Sequence, residues 1–257
     1  MLDKSQLSAP IGDDNVDAQE IARFDALADA WWDPAGKYKT ALSFNAARVE
    51  FIVGAIQKHF KPSGIADSLL ADLSILDVGS GGGLICEPLA KRGASVTGID
   101  ASATSVEVAK RHALKENLPI QYHHCLSGEW AATGHRYDVV INAEVVEHVP
   151  DQAMLIKECA DMVKPGGLLI LATLNRTLLS YVIAIVGAEY VMRYLPVGTH
   201  SWTKFVKPDE LDSWVGAELS RKYQSGFKLN PLSGNWRTSP SMQVNYLCGY
   251  TKSERAD

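Results

Sequence analysis

The chain contains no Cys-x-x-Cys pair, no Gly-Lys-Ser/Thr triplet, no basic excess and no apolar run long enough to span a bilayer. Its four cysteines, Cys86, Cys125, Cys159 and Cys248, are scattered over 257 residues, which argues against a zinc knuckle or disulfide frame and for core thiols in a reducing compartment. With 25 Lys and Arg against 30 Asp and Glu, the net charge of −5 leaves no basic face, so nucleic acid is not the expected partner. The segment Met1–Glu20 lacks both an apolar signal and an Arg-rich presequence, and the expected location is the cytoplasm. What the composition does supply, 46% hydrophobic and 21% charged residues, suffices for one large core. Neither an internal repeat nor a low-complexity tract is present.

The most informative run is Ile75-Leu76-Asp77-Val78-Gly79-Ser80-Gly81-Gly82-Gly83-Leu84, an apolar strand that empties into a glycine turn and a helix. Glycine tolerates positive φ and lets a ligand lie against bare backbone, so the turn leaves room for a nucleoside or amino-acid moiety. The next strand, Ser95–Asp100, ends in a carboxylate 21 positions after Gly79, where an acid can accept both hydroxyls of a ribose. A phosphate-binding loop for ATP or GTP does not fit, because Gly83-Leu84-Ile85 opens the helix and no lysine follows until Lys91. A dinucleotide fingerprint fits poorly as well, since its third glycine would fall on Leu84. Asp77, the turn through Gly79 and Gly81, and Asp100 together resemble the S-adenosylmethionine (SAM) site of Rossmann-like methyltransferases; the alternative is a glycine turn that serves only strand-helix packing.

Periodicity organises the rest. Asp17 and Glu20 suit a capping box for a helix with Ile21, Phe24, Leu27 and Trp31 on one face, and a second helix is expected over Asn45–Phe60. Strands at 75–78, 95–100, 120–123, 137–142 and 168–174 alternate with helices at 83–91, 102–116 and 151–162. The expected fold is α/β: a Rossmann-like, mostly parallel seven-stranded sheet with an N-terminal helical cap and a helical insertion after the fifth strand. The expected organisation is a flexible start over 1–16, the cap over 17–61, the core over 72–175, the insertion over 176–210, the last part of the domain over 211–250 and a tail over 251–257.

A second chemical cluster, Ala143-Glu144-Val145-Val146-Glu147-His148, follows the strand Tyr137–Asn142 and should face the same crevice, because ligands of open α/β sheets sit beyond the carboxyl ends of the strands. If this segment turns helically, Glu144, Glu147 and His148 share one side and form a workable divalent-metal site. Two carboxylates favour Mg²⁺ or Mn²⁺, and the imidazole also permits Zn²⁺ or Co²⁺. The alternative is a histidine that caps a short helix beside solvated glutamates.

Longer motifs narrow the field. Arg23-Phe24, Trp31-Trp32-Asp33, Asn45-Ala46-Ala47-Arg48, the glycine turn, Glu144–Pro150, Val163–Gly167, Thr173–Arg176, Gly187–Tyr190, Pro196–His200 and Val244-Asn245-Tyr246 occur in one order. In this set the sequence resembles the ubiquinone-biosynthesis O-methyltransferase family over roughly residues 15–250. The resemblance implies a SAM-dependent enzyme that methylates ring hydroxyls of a polyprenylated catechol and of the late demethylubiquinol. It carries SAM contacts to Arg48, Gly79, Asp100 and Ala143, and metal ligation to Glu144, Glu147 and His148. Two positions depart from the family: Ser80 where Cys is frequent, and Ala143 where Met is frequent. His200 is a candidate base, with a surface histidine as the alternative.

Leu178–Val186 is strongly apolar yet too short to cross a bilayer, and Arg176, Arg193, Lys204 and Lys207 surround it. A lid over 176–207 that touches anionic lipid and admits a prenylated quinol is one reading; a helix packed over the site or against a second subunit is the other. Membership of a quinone-assembly complex fits the same resemblance. Two rivals share the cofactor: a methyltransferase of another small phenolic acceptor, and a non-catalytic SAM- or lipid-binding subunit.

Overall fold

The computed structural model describes residues 15–27, 32, 39–61, 69–183, 185, 201–230 and 234–254. His200, Arg193, Trp31, Asp33, the 62–64 linker, the 187–190 and 196–200 motifs, most of the 1–16 start and the end of the tail lie outside them.

Two helices, α1 (Ala18–Leu27) and α2 (Lys39–Phe60), precede the first strand, β1 (Ser74–Val78). There follow α3 (Cys86–Ala90), β2 (Ser95–Asp100), α4 (Ala103–Lys115), β3 (Gln121–His124), α5 (Ser127–Ala132), β4 (Tyr137–Ala143), α6 (Gln152–Asp161) and β5 (Val163–Leu174). The single turn α7 (Leu178–Ser180), α8 (Pro208–Trp214) and strands β6 (Leu219–Leu229), β7 (Trp236–Ser239) and β8 (Asn245–Lys252) complete the chain. The strands form one sheet in the order β3-β2-β1-β4-β5-β8-β6-β7, of which β3 to β5 run parallel.

The layering follows from alternation along doubly buried strands. Ile75, Val96, Val139, Ile141, Leu168 and Ile170 face α2 and α4, with Val49, Ile52, Ile56, Val106 and Ala109 packed on them. Their neighbours Leu76, Ile99, Val140, Leu169 and Leu171 face the other way, toward α6 and α8 through Leu155, Ile156, Cys159 and Leu211. Strands buried on both faces read as continuous apolar runs, which is why β1, β4 and β5 stand out in the sequence.

Among the described residues the sheet has eight strands where seven were expected. The edge strand β7 pairs with β6 alone, Leu229 opposite Trp236 and Phe227 opposite Thr238, and its four mostly polar residues carry no apolar pattern. Helix α2 starts six positions before Asn45, and α3 spans only Cys86–Ala90 because the tight turns of the glycine loop continue to Ile85. Strand β5 starts at Val163 and runs through the Lys164-Pro165-Gly166-Gly167 turn, which it accommodates by a register shift against β4 between Tyr137 and Val139.

Candidate active site

The parallel register brings the carboxyl ends of β2, β1, β4 and β5 side by side, so Asp100, Gly79, Ala143 and Leu174 border one cavity of about 1030 Å³. After Val78 the chain turns sharply: the amides of Gly79 and Ser80 both donate to the Ile99 carbonyl, at 2.8 and 3.0 Å. Gly79 has φ +77°, and a Cβ there would lie 2.3 Å from Val145 Cγ2, so both the backbone conformation and the close approach of the second motif require glycine. Asp100 accepts the amides of Gly81 and Ser102, each at 2.8 Å, which ties the glycine turn to the end of β2. Burial raises its pKa and Asp25 adds to the rise, while these two amides and His124 pull the other way. Its carboxylate retains lone pairs for the hydroxyls of a nucleoside.

Asp77 lies one layer deeper, 2% exposed. The Cys86 thiol donates to it at 3.2 Å, and burial lifts its pKa to about 6. Arg48 comes from α2, held by a 2.7 Å bond from Nη2 to Asn45 Oδ1, with Nη1 at 3.5 Å from Glu144 Oε1. Its buried Nε makes no hydrogen bond among the described residues, and Nη1 makes only the longer ion pair to Glu144.

The second motif departs from expectation. Glu144 takes a left-handed conformation, φ +58°, while its amide still bonds the Ala172 carbonyl at 2.8 Å; only Val146–His148 form a 3₁₀ turn. Glu144, Glu147 and His148 all border the cavity but do not stack on one helical side. Glu147 Oε2 accepts the Thr173 hydroxyl at 2.8 Å, and burial raises this carboxyl to about 7. His148 Nδ1 lies 2.8 Å from Glu20 Oε2, and burial lowers its pKa against the opposing pull of Glu20. Among the described residues no three His, Cys, Asp or Glu side chains are grouped to hold a metal ion. The three donors are not grouped as the expected chelate: Thr173 takes Glu147 Oε2 and Glu20 takes His148 Nδ1, while Glu147 Oε1 is buried without a hydrogen bond among the described residues.

Sequence reasoning missed how the N-terminal segment reaches the site. Asp17 does cap α1, accepting the Gln19 amide at 2.9 Å, but Glu20 is spent on Arg23 and His148 rather than on a capping box. Asn15 and Asp151 exchange two hydrogen bonds, and the Ser102 hydroxyl donates to Asp25. Trp32 donates from Nε1 to the Gly82 carbonyl at 2.9 Å and stacks flat on His112 with ring centroids 3.6 Å apart. The Trp31-Trp32-Asp33 motif marked the position; its partners, remote in sequence, could not be read from it.

A methyltransferase domain family model matches residues 76–171. A ubiquinone biosynthesis O-methyltransferase from Chelativorans sp. (strain BNC1) is 47% identical over 233 residues, covering 90% of this chain and 92% of its own length. This chain belongs to the ubiquinone biosynthesis O-methyltransferase family. A further relative of that name, from Rhodopseudomonas palustris (strain BisB5), is 45% identical over 95% of this chain and 96% of its own. Among solved structures, magnesium protoporphyrin IX methyltransferase from Synechocystis PCC 6803 with bound S-adenosylhomocysteine (SAH) superposes with a TM-score of 0.65 at 21% identity, covering 90% of this chain and 95% of that one. The plantazolicin methyltransferase in complex with SAH gives 0.61 at 17% identity, with 91% and 97% covered. At these identities the two structures establish the Rossmann-like methyltransferase fold alone. As a ubiquinone biosynthesis O-methyltransferase family member, the protein is a SAM-dependent O-methyltransferase.

Proposed function

We propose that the protein transfers the methyl group of SAM to a ring hydroxyl of polyprenylated catechol and demethylubiquinol intermediates in ubiquinone biosynthesis. The observation that carries this reading is the continuity of the cavity. One end is the polar cradle of Gly79, Gly81, Asp100 and Arg48; the other is walled by Phe44, Leu179, Val182, Ile183, Phe227 and Val244. A cofactor end joined without interruption to an apolar end suits an acceptor whose ring carries a long hydrocarbon tail.

When bound, SAM supplies a methyl group on a sulfonium centre, and the protein's task is to orient and desolvate. Asp100 would take the ribose hydroxyls, Arg48 the carboxylate, and the backbone of Gly79 and Ala143 would line the nucleoside. Orienting the acceptor oxygen against the bound cofactor would contribute on the order of 7–11 kcal/mol. His200 is our candidate for receiving the phenolic proton.

We also propose a peripheral membrane contact at the cavity mouth. Leu178, Tyr181, Val182 and Ile183 are exposed, Leu178 at 77%, and Leu179, Val182 and Ile183 border the cavity as well. Exposed apolar side chains continuous with a tail-binding channel suit delivery from a lipid surface. Among the described residues no helix is long and apolar enough to cross a membrane.

The test is methyl transfer from labelled SAM to a short-chain demethylubiquinol. Turnover supports the proposal; SAM binding without turnover of any prenylated quinol or catechol removes it. EDTA reads the part played by Glu144, Glu147 and His148: turnover that survives it leaves the three donors in the protein contacts described. Loss with EDTA and recovery with Mg²⁺, Mn²⁺, Zn²⁺ or Co²⁺ would mean that the three donors regroup around a cation.

A further inference from the structure

The apolar end of the cavity has one polar exception. Phe44 from α2 meets Phe227 of β6 edge-on, with centroids 5.3 Å apart, and Trp236 of β7 at 4.9 Å. Trp236 stands opposite Leu229 in the hairpin register, and both border the cavity. In this aromatic corner Trp236 Nε1 is buried without a hydrogen-bond partner among the described residues. An unsatisfied buried donor costs about 1–3 kcal/mol, and a buried indole N–H usually finds an acceptor. Phenylalanine would close the corner without that cost.

Two contacts separate Trp236 from the polar end of the cavity. Its ring packs on Phe44, and the Arg48 guanidinium carbon lies 5.3 Å from the Phe44 centroid, beside Glu144. An aromatic acceptor with its reacting hydroxyl near the glycine turn would extend its opposite edge toward the indole.

We propose that Trp236 donates its Nε1–H to an oxygen substituent on the ring edge remote from the methyl, and so favours the late, more oxygenated quinol over the early catechol. This deepens the proposed function and rests on it. The catechol offers no acceptor at that edge, so the donor stays unsatisfied; a site built to hydrogen-bond a substrate oxygen discriminates against the analogue that lacks it.

The experiment compares Trp236→Phe with the wild-type protein on two acceptors of equal prenyl length, demethylubiquinol and the unsubstituted prenylcatechol. The substitution should lower kcat/KM for the quinol by about two- to tenfold, the loss of one neutral hydrogen bond. The catechol value should fall less than the quinol value, because the catechol loses packing alone, and the SAM dissociation constant should stay within about twofold, which controls for folding. An equal loss on both acceptors, or none on the quinol, overturns the assignment. If Trp236→Phe does not fold, the wild-type protein is assayed on an analogue that lacks the ring hydroxyl meta to the reacting one; an unchanged kcat/KM overturns the assignment and a loss of the same size supports it. A wild-type protein that binds SAM and methylates neither acceptor removes the proposed function, and this assignment with it.

Discussion

Glu147 is the residue whose environment is most at odds with its chemistry. It is 5% exposed, one oxygen takes the Thr173 hydroxyl, and burial raises its pKa from the 4.5 of an ordinary glutamate to about 7. A folded-state value above the unfolded one means that the native protein binds this proton more tightly. The associated stability is complete below about pH 4.5 and is lost as pH rises through about 7. Glu147→Gln carries no such proton. We expect the variant to gain on the order of 3 kcal/mol over the wild-type protein at pH 8 and little at pH 4.5, read from denaturant midpoints at the two pH values. A difference that does not change with pH would mean the carboxylate is not desolvated as described. Asp77, Gly79 and Asp100 were legible in the sequence because a strand end and a forced turn fix them locally. The geometry of Glu144 was not, since it depends on a left-handed residue whose amide remains bonded to β5.

At the scale of elements, legibility followed burial. Strands β1, β2, β4 and β5 announce themselves by apolar runs, whereas β7 exists only through its pairing with β6, and α5 is a six-residue helix without an amphipathic stripe. The turn at α7 shows the opposite case: its apolar character is evident in sequence, and the structure leaves that character exposed. Its expected basic frame is weaker than the composition implies. Arg176 pairs with Glu210 and donates to the Phe205 carbonyl, and Lys204 donates to the Val149 carbonyl at 3.0 Å. Membrane contact at this edge should therefore depend more on burial of side chains than on charge. Replacing Leu178, Val182 and Ile183 with serine should abolish flotation with phosphatidylglycerol-containing vesicles, while added salt should weaken it only slightly. Flotation unchanged by the triple substitution would remove the contact.

Across the whole molecule, the sheet order sets cofactor and acceptor chemistry at one edge. The carboxyl ends of the parallel strands build the cradle, the antiparallel β6, β7 and β8 carry the sheet on past it, and β6 and β7 supply Phe227 and Trp236 to the far wall. The N-terminal segment crosses from Asp151 to His148, Ser102 and Gly82, so residues distant in sequence cover one cavity. Those crossings, like the aromatic corner, join elements too remote for any local pattern to report. The central claim is that this single cavity takes a prenylated ring, and the most direct measurement is kcat/KM for methyl transfer to catechols bearing zero, one, two and three prenyl units. Burying one isoprene unit in the apolar wall should contribute about 0.8 kcal/mol per carbon, so the first unit should raise kcat/KM by at least about tenfold. A value that stays flat or falls as the tail lengthens would contradict the account.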